Sequence, residues 1–592
     1  LHGILGSSAT VKLSYPNKPV RYFNGIIARA QYRGLSAGGY RYRLELRPWI
    51  WLLSQQQDCC IFSNKSPWTI MTDLFRAAGF TGFADKRQNA SGDIVLDYCV
   101  QYRETTLDFV TRLMEQYGLY YYVSHADGAH TINFADDPNS HTALSDPLPY
   151  MYNQSGWAAT QDHLWDWSAD AGIQPGASTF RDYNFTTPKA DLTAKSLIPG
   201  GYTHGTSEVY DYPGLYDTAN AGQKAAQIRM QGYATQGQSF GGTSNCRALG
   251  TGSKFTLSEF ADAAANQEYL VIGSICTVER AETAAIHGED DPILDSFRCV
   301  VRAIPGSRPF RLPPITPRPL IRGPQTARVA GESGQEITTD SYGRIKVKFP
   351  WDRRTTEDEN SSCWIRVAQL WAGQAWGAMF IPRIGQEVVV EFLEGNPDRP
   401  IVTGQVYNAE MTVPYALPEN RTRSTIKSNS SMNGAGFNEL RFEDKKGSEE
   451  VFFHAQKDFN ETILNNHTAT ITKDTTTTVS EGNRSVTVSQ GNDTLTVSQG
   501  NDSLTVSTGD HTITVSAGKS TISAGTSITL KVGSNSIEIT TSGITISGAT
   551  VKVSAQTSME IAGLNTKVSG SADLALSGGA HAALKAALVE IN

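Results

Sequence analysis

The 592-residue chain is 39% hydrophobic and 19% charged, too long for one compact core, and reads as three or four domains. Its formal net charge of -8 argues against a general nucleic-acid binder, and no apolar run reaches the roughly eighteen residues of a membrane span. The seven cysteines (Cys59, Cys60, Cys99, Cys246, Cys276, Cys299 and Cys363) are odd in number, sparse and mostly inside apolar runs, which points to reduced thiols in a cytosolically folded protein.

Residues 1–10 (LHGILGSSAT) lack the basic start and apolar stretch of a signal peptide and lead straight into strand-like sequence, so earlier strands are expected to have been trimmed. Residues 21–31 (RYFNGIIARAQ) and 40–51 (YRYRLELRPWIW) alternate large apolar and polar side chains, as half-buried strands do. A first amphipathic helix is expected from Ser66-Pro67, an N-cap followed by proline at the first helical position, to Gly79. A second runs from about Thr106 to Tyr117, with Leu107, Val110, Leu113 and Met114 on one face and Gly118 as its stop. A dense aromatic strand follows at residues 119–123 (LYYYV). Residues 166–213 look loop-rich, and strands resume at 255–257 and 269–277.

Residues 305–324 hold seven prolines, which remove donors and fix φ, so this stretch is expected to be a connector. Compact β sequence follows. Residues 344–349 (RIKVKF) put Ile345, Val347 and Phe349 on one face, and 363–367 (CWIRV) and 387–392 (EVVVEF) repeat the alternation between turns. About five short strands fit a small OB-like barrel. Trp364, Trp371 and Trp376 are expected to anchor it, with Gly385, Gly395 and Gly404 at turn positions. The expected division is 1–320, 325–415, 416–475 and 476–592.

Past this point the chain changes character. No proline follows Pro418, no tryptophan follows Trp376, and no phenylalanine, tyrosine or tryptophan follows Phe459, so a normal globular core is excluded. Glycines recur at Gly482, Gly491, Gly500, Gly509 and Gly518, a nine-residue repeat with paired apolar residues two apart: Val486/Val488, Leu495/Val497, Leu504/Val506 and Ile513/Val515. Beyond Gly518 the period tightens toward eight, with pairs at Ile528/Leu530, Ile537/Ile539, Ile544/Ile546 and Val551/Val553. Each unit is one short strand with two inward apolar residues and a turn. Disorder and a single-chain β-helix remain open on this pattern; three chains wound about one axis satisfy it best, because every strand edge then meets a neighbour. At about 4.8 Å per unit, such a needle would be ~60–65 Å long.

Catalytic signals are sparse. There is no H-E-x-x-H, no C-x-x-C pair and no G-x-S-x-G elbow. Gly518-Lys519-Ser520 resembles the end of a phosphate-binding loop, but Ile513 stands where that loop needs glycine. His125 and His130 flank Asp127 at a spacing that a metal could use, or that a solvated hairpin tip would show equally. The Glu357–Glu359 run reads as a solvated loop or an acidic docking surface. Residues 443–450 (EDKKGSEE) read as a hairpin leading into the needle, with cargo binding as the functional alternative. The Cys59-Cys60 pair reads as buried strand thiols rather than a redox site.

Residues 342–353 (YGRIKVKFPWDR), 362–373 (SCWIRVAQLWAG), 376–408 (WGAMFIPRIGQEVVVEFLEGNPDRPIVTGQVYN) and 436–458 (GFNELRFEDKKGSEEVFFHAQKD) closely resemble the VgrG proteins of bacterial type VI secretion, and RYFNGIIARAQY, LRPWIWLL and VQYRETTLDFVTRLMEQYGLYYY extend the resemblance to the N-terminal region. The resemblance implies a mainly β fold: two β-barrel hub modules with a few helices, an OB-like barrel, and a C-terminal triple-stranded intertwined β-helix in a homotrimer. It implies docking on a tube of Hcp hexamers, a PAAR-type protein at the tip, and toxin effectors or their adaptors as cargo, assembled in the cytoplasm and driven out with only transient membrane crossing. No catalytic residue, metal or cofactor is expected, nor nucleic-acid binding. The competing class is an evolved effector degrading peptidoglycan or lipid, for which the sequence offers no motif or separate domain. Leu495, Val497, Leu504, Val506, Ile513 and Val515 are the residues expected to line the needle. The chain departs from the family in lacking roughly fifty residues before Leu1 and in ending with the needle, where residues 580–591 (AHAALKAALVEI) are expected to form a last strand or short helix.

Overall fold

The computed structural model describes residues 1–591 apart from 15–19, 37–38, 153–160, 280–295 and 433. It divides into two compact units, Leu1–Thr462 and Ile463–Asn592.

The first unit opens on an antiparallel sheet of β1 (Ser8–Leu13), β2 (Arg21–Ser36) and β3 (Gly39–Arg47). Next come β4 (Gln57–Lys65), α1 (Pro67–Ala77), β5 (Phe83–Asp85), β6 (Leu96–Thr105), α2 (Thr106–Tyr117), β7 (Tyr120–Ala126) and β8 (Ala129–Ala135). Both helices begin where their caps place them. The Ser66 hydroxyl accepts from Thr69 N–H, the Thr105 hydroxyl accepts from Asp108 N–H, and Gly118 ends α2 at φ +74°. The helices pack on β4, β6 and β8 around Ile70, Phe75, Phe109, Leu113 and Phe134.

The ribbon β4–β6 is buried on both faces. Cys60, Phe62 and Cys99 face the helical core, while Ile61, Tyr98 and Val100 belong to the core of the downstream barrel. A buried ion pair fixes α2 to this ribbon: Arg112 donates from Nε and Nη2 to both Glu104 carboxylate oxygens at 2.8 and 2.7 Å, and from Nη2 to Val100 O at 2.8 Å.

Two short strands, β9 (Thr142–Ala143) and β10 (Leu148–Pro149), join a larger sheet with β11 (Leu164–Ala171). Residues expected to be loop-rich instead hold β12 (Ala177–Phe180), β13 (Ala194–Leu197) and β14 (Glu208–Asp211), a separate three-stranded sheet. It packs beneath α3 (Ala219–Gly237). That helix carries only small or isolated apolar residues on its buried face (Ala226 and Met230), so no apolar stripe announces it. The large sheet is completed by β15 (Gln238–Ser244), β16 (Ser253–Ser258), β17 (Glu268–Glu279) and β18 (Ser296–Pro305), in the order β10-β16-β17-β18-β15-β11, over a core of Trp167, Phe240, Phe255 and Tyr269.

The proline-rich connector is strapped down along its length. Arg311 Nη1 donates to Asp136 O at 2.8 Å, the Thr316 hydroxyl donates to Glu115 at 2.7 Å, and Ile321 N–H donates to Gly395 O at 2.8 Å. Then come β19 (Gln325–Ala330), β20 (Lys346–Lys348), β21 (Arg366–Val367), the hairpin β22 (Ala372–Gly373) and β23 (Trp376–Gly377), β24 (Glu387–Phe392) and β25 (Pro400–Val406). The sheet order is β20-β19-β24-β25-β21, and reciprocal hydrogen bonds between Ile345 and Ile365 (3.0 and 2.8 Å) join its two ends into a closed barrel. Val329, Ile345, Val347, Phe349, Ile365, Val388, Val390 and Val402 fill it. A meander of β26 (Arg423–Lys427), β27 (Glu439–Glu443) and β28 (Glu450–His454) ends the unit, with Gly447 at φ +81° in the turn of the expected hairpin.

His125 and His130 lie opposite each other on β7 and β8, and both are spent on Asn24 of β2. His130 Nε2 accepts from Trp49 N–H at 2.8 Å, so Nδ1 carries the proton and donates to Asn24 Oδ1 at 2.6 Å. His125 Nδ1 sits 3.1 Å from Asn24 N and 3.0 Å from Asn24 O, accepting from the former or donating to the latter according to its tautomer. The pair is therefore a neutral structural tie rather than a hairpin tip in solvent.

Two outcomes follow from this unit. Glu104→Ala strands the buried Arg112 guanidinium and should cost about 3–5 kcal/mol in denaturant unfolding; a loss near zero would refute the pair's role. Burial holds the His125, His130 and His141 pKa values below the usual 6.5, the nearby Arg21 charge adding to the effect at His125. The unfolded chain then binds more protons just below pH 6.5, so stability is complete above that value and falls as pH drops through it. Melting midpoints should decline between about pH 7 and about pH 5, and His130→Gln should flatten the slope; equal slopes in the two chains would contradict this.

Candidate functional site

In the second unit the glycines of the nine-residue repeat share one backbone state: φ is +91° at Gly482, +104° at Gly491, +106° at Gly500, +103° at Gly509 and +117° at Gly518. At the first four a Cβ would touch nothing within 4 Å of the same chain, so the left-handed conformation alone selects glycine. Between them Leu495, Leu504 and Ile513 are 77, 72 and 71% exposed, and Val497, Val506 and Val515 are 45, 46 and 47% exposed. Recurrence this close describes one conformation repeated, not a disordered tract. A single-chain β-helix would bury these pairs against its own next turn, which the exposures contradict.

Between β28 and Ser527 the described residues form no hydrogen-bonded strand. From there the pattern departs from the expected continuation. β29 (Ser527–Val532), β30 (Asn535–Thr540) and β31 (Gly543–Ser547) fold back on one another as an antiparallel meander, pairing Ile528 with Ile539 and Leu530 with Ile537. The shortened spacing leaves room for tight turns, at Gly533 with φ +60° and at Gly543, instead of continued winding. Residues 580–591 form neither the expected strand nor a helix.

The barrel places the three expected anchors outside its core, whereas Trp351 packs against it, stacked on Phe349. Cys363, Ile365 and Val367 take the inward positions of CWIRV, so the period-two alternation turns Trp364 outward, half-buried beneath the Lys346 ammonium 5.0 Å from the ring centroid. Trp371 and Trp376 flank the turn of the β22–β23 hairpin, edge to face at 4.9 Å, and are 64 and 57% exposed. Gly385 and Gly395 occupy left-handed turns at φ +88° and +69°. Gly404 does not: it sits inside β25 opposite Val389, beside the register shift between Val389 and Val390, where a bulge takes up the curvature of a small barrel.

Other singled-out residues serve local structure. Cys60 is buried in β4 against Gln101, and burial pushes its thiol up to about 12. Glu357 pairs with Arg328 at 3.1 Å, and Asp358 accepts from Asn360 N–H at 2.7 Å within the loop. Among the described residues no cluster of three His, Cys, Asp or Glu is placed to hold a metal ion, and no helix is long and apolar enough to cross a membrane. Sequence reading missed the double-faced role of Ile61, Tyr98 and Val100, although the unbroken apolar runs CCIF and YCV around them are the signal of a strand buried on both sides.

Residues 1–280 match the phage tail baseplate hub (GPD) family, residues 335–407 the type VI secretion system/phage-baseplate injector OB domain, and residues 424–539 the bacteriophage T4 gp5 C-terminal trimerisation domain. The type VI secretion system spike protein VgrG1c of Pseudomonas aeruginosa is 42% identical over 486 residues, covering 81% of this chain and 66% of that protein. VgrG1a of the same organism is 43% identical over 474 residues, covering 78% of this chain and 72% of that one. This chain thus spans about two thirds of the length of VgrG1c. An E. coli component of the type VI secretion system, described as structurally similar to the T4 tail proteins gp27 and gp5, aligns with a TM-score of 0.47 at 19% identity over 68% of this chain and 88% of its own. Identity of 43% sustained over most of a spike protein's length settles the relationship: the chain belongs to the VgrG family of type VI secretion system spike proteins, with phage-type hub, OB and trimerisation domains in sequence.

Proposed function

We propose that this chain is one subunit of a homotrimeric puncturing spike that docks on an Hcp tube, takes a PAAR-type protein at its tip and carries toxin effectors or their adaptors into target cells. In this reading it is structural rather than enzymatic, and any killing is done by what it carries. It assembles in the cytoplasm, leaves the cell with the secreted tube and crosses membranes only in passage. Four parts divide the work: a hub at 1–320, an OB barrel at 325–415, a linking and spike-initiating segment at 416–475 and a needle at 476–592. The matched hub, OB and trimerisation ranges support that division.

The observation that carries the proposal is the nine-residue recurrence of left-handed glycine with an apolar pair that its own chain leaves uncovered. Two further chains, offset about the same axis, cover those pairs and saturate the strand edges together. The exposed Trp371–Trp376 hairpin is a second apolar surface that neighbouring subunits would cover.

Val497→Asp or Val506→Asp would place three carboxylates at the needle axis, where desolvating them costs several kcal/mol (roughly 2–7 for even a neutral polar group), and trimers should disappear in mass photometry. Val497→Ile, which keeps the apolar surface, should leave them intact. Trimers persisting in both aspartate variants would overturn the axial placement.

A further inference from the structure

The hub sheet holds a pair of thiols that none of the spike's structural roles uses. Cys276 of β17 and Cys299 of β18 are direct cross-strand partners in the antiparallel register. Their Sγ atoms lie 3.2 Å apart, in contact but not bonded. Directly opposed residues in such a ladder have Cα atoms about 4.5–5.5 Å apart, inside the range a disulfide accepts, so bond formation needs closure of the sulfurs to about 2.05 Å with little backbone movement.

The two thiols differ in access. Cys299 is buried, with Leu249 O at 3.7 Å from its Sγ, whereas Cys276 is half-buried. The Arg21 guanidinium reaches in from β2, donating to Ala248 O at 3.5 Å, and its charge favours the thiolate at both sulfurs. The Cys299 contact, with Arg21 adding to it, holds the Cys276 thiol down, while Cys299 is pushed up by the same contact and by burial. Elsewhere burial pushes Cys60, Cys246 and Cys363 up to about 12, about 11 and about 12. One accessible nucleophile therefore sits over one buried resolving thiol.

We propose that Cys276 and Cys299 form a reversible dithiol–disulfide site that is closed by low-molecular-weight disulfides of the glutathione type. The Cys276 thiolate attacks one sulfur of the oxidant, forming a mixed disulfide and releasing the first small thiol. Cys299 gives up its proton and attacks Cys276 Sγ, which forms the cross-strand bond and expels the second small thiol. Two protein thiols lose two electrons and two protons, and one disulfide becomes two thiols. The bond pins the β17–β18 register across the middle of the hub sheet. A particle moving from a reducing to an oxidising compartment, as the proposed secretion requires, would meet such an oxidant, but the chemistry does not depend on that reading.

The test is to expose the reduced full chain to oxidised glutathione, quench with acid, block free thiols with N-ethylmaleimide and map peptides by mass spectrometry. The expected product links Cys276 to Cys299, with Cys276 consumed about tenfold or more faster than Cys60, Cys246 or Cys363. Cys299→Ser should trap a lasting glutathione adduct on Cys276, and Cys276→Ser should give neither link nor adduct at Cys299. Arg21→Gln keeps both sulfurs and should slow closure several-fold, which preserves the test if a cysteine variant fails to fold. Free alkylation of both residues after oxidation, a stable Cys276 adduct in the unaltered chain, or Cys299 linked to Cys246 would each overturn the proposal.

Discussion

The β4–β6 ribbon is shared by two hydrophobic cores, and the first unit depends on that sharing. Its alternate residues enter the helical core on one face and the OB barrel on the other, so neither core is complete without it. Interfaces between domains are by default small and permissive of motion; one made from the interior of both domains is not. Polar contacts sit around the same seam. Asp398 accepts from Val100 N–H at 2.7 Å, and Arg399 clamps Asp182 through two nitrogens at 2.9 and 2.8 Å. Proline in the connector adds to this by limiting what the strap can do when it is not bonded. The helical module and the OB barrel are consequently tied by packing rather than by a linker.

The second unit uses different physics. It has none of the aromatic burial that stabilises the first, and its apolar residues are small and branched. From Gly482 to Gly518 its regularity comes from a repeated backbone state, fixed every nine residues by a glycine whose φ other residues rarely adopt. Stability then has to come from ladder hydrogen bonds and from apolar pairs covered by neighbouring chains. Such stabilisation is additive along the axis, as in other repeat architectures, so it grows with length without a larger core.

Features written locally were legible in the sequence. The start of α1 and the stop of α2 were visible because Ser66 and Gly118 act within their own turn. The barrel strands were visible because period-two alternation survives in RIKVKF and EVVVEF. What failed was anything set by a distant partner. α3 has too few large apolar residues to show a face, since its small side chains are selected by close approach to the β12–β14 sheet. Trp364, Trp371 and Trp376 were expected to anchor the barrel, yet the alternation of CWIRV gives the inward places to Cys363, Ile365 and Val367. Gly404 looked like a turn because a bulge inside a strand uses the same residue. The connector was read as such, but its strapping was not legible, because hydrogen bonds from Thr316 and Arg311 to residues far upstream leave no local mark.

Three sets of exposed apolar groups on this chain are aligned: on the outer hairpin of the barrel, on the Tyr32–Tyr40–Tyr42 face of the first sheet and along the nonapeptide array. Scattered singles are ordinary on soluble proteins; aligned sets are the mark of surfaces meant to be covered. On the proposed trimer, folding and assembly become one equilibrium for the needle, because a lone array has neither core nor paired edges, while the first unit buries its cores within one chain.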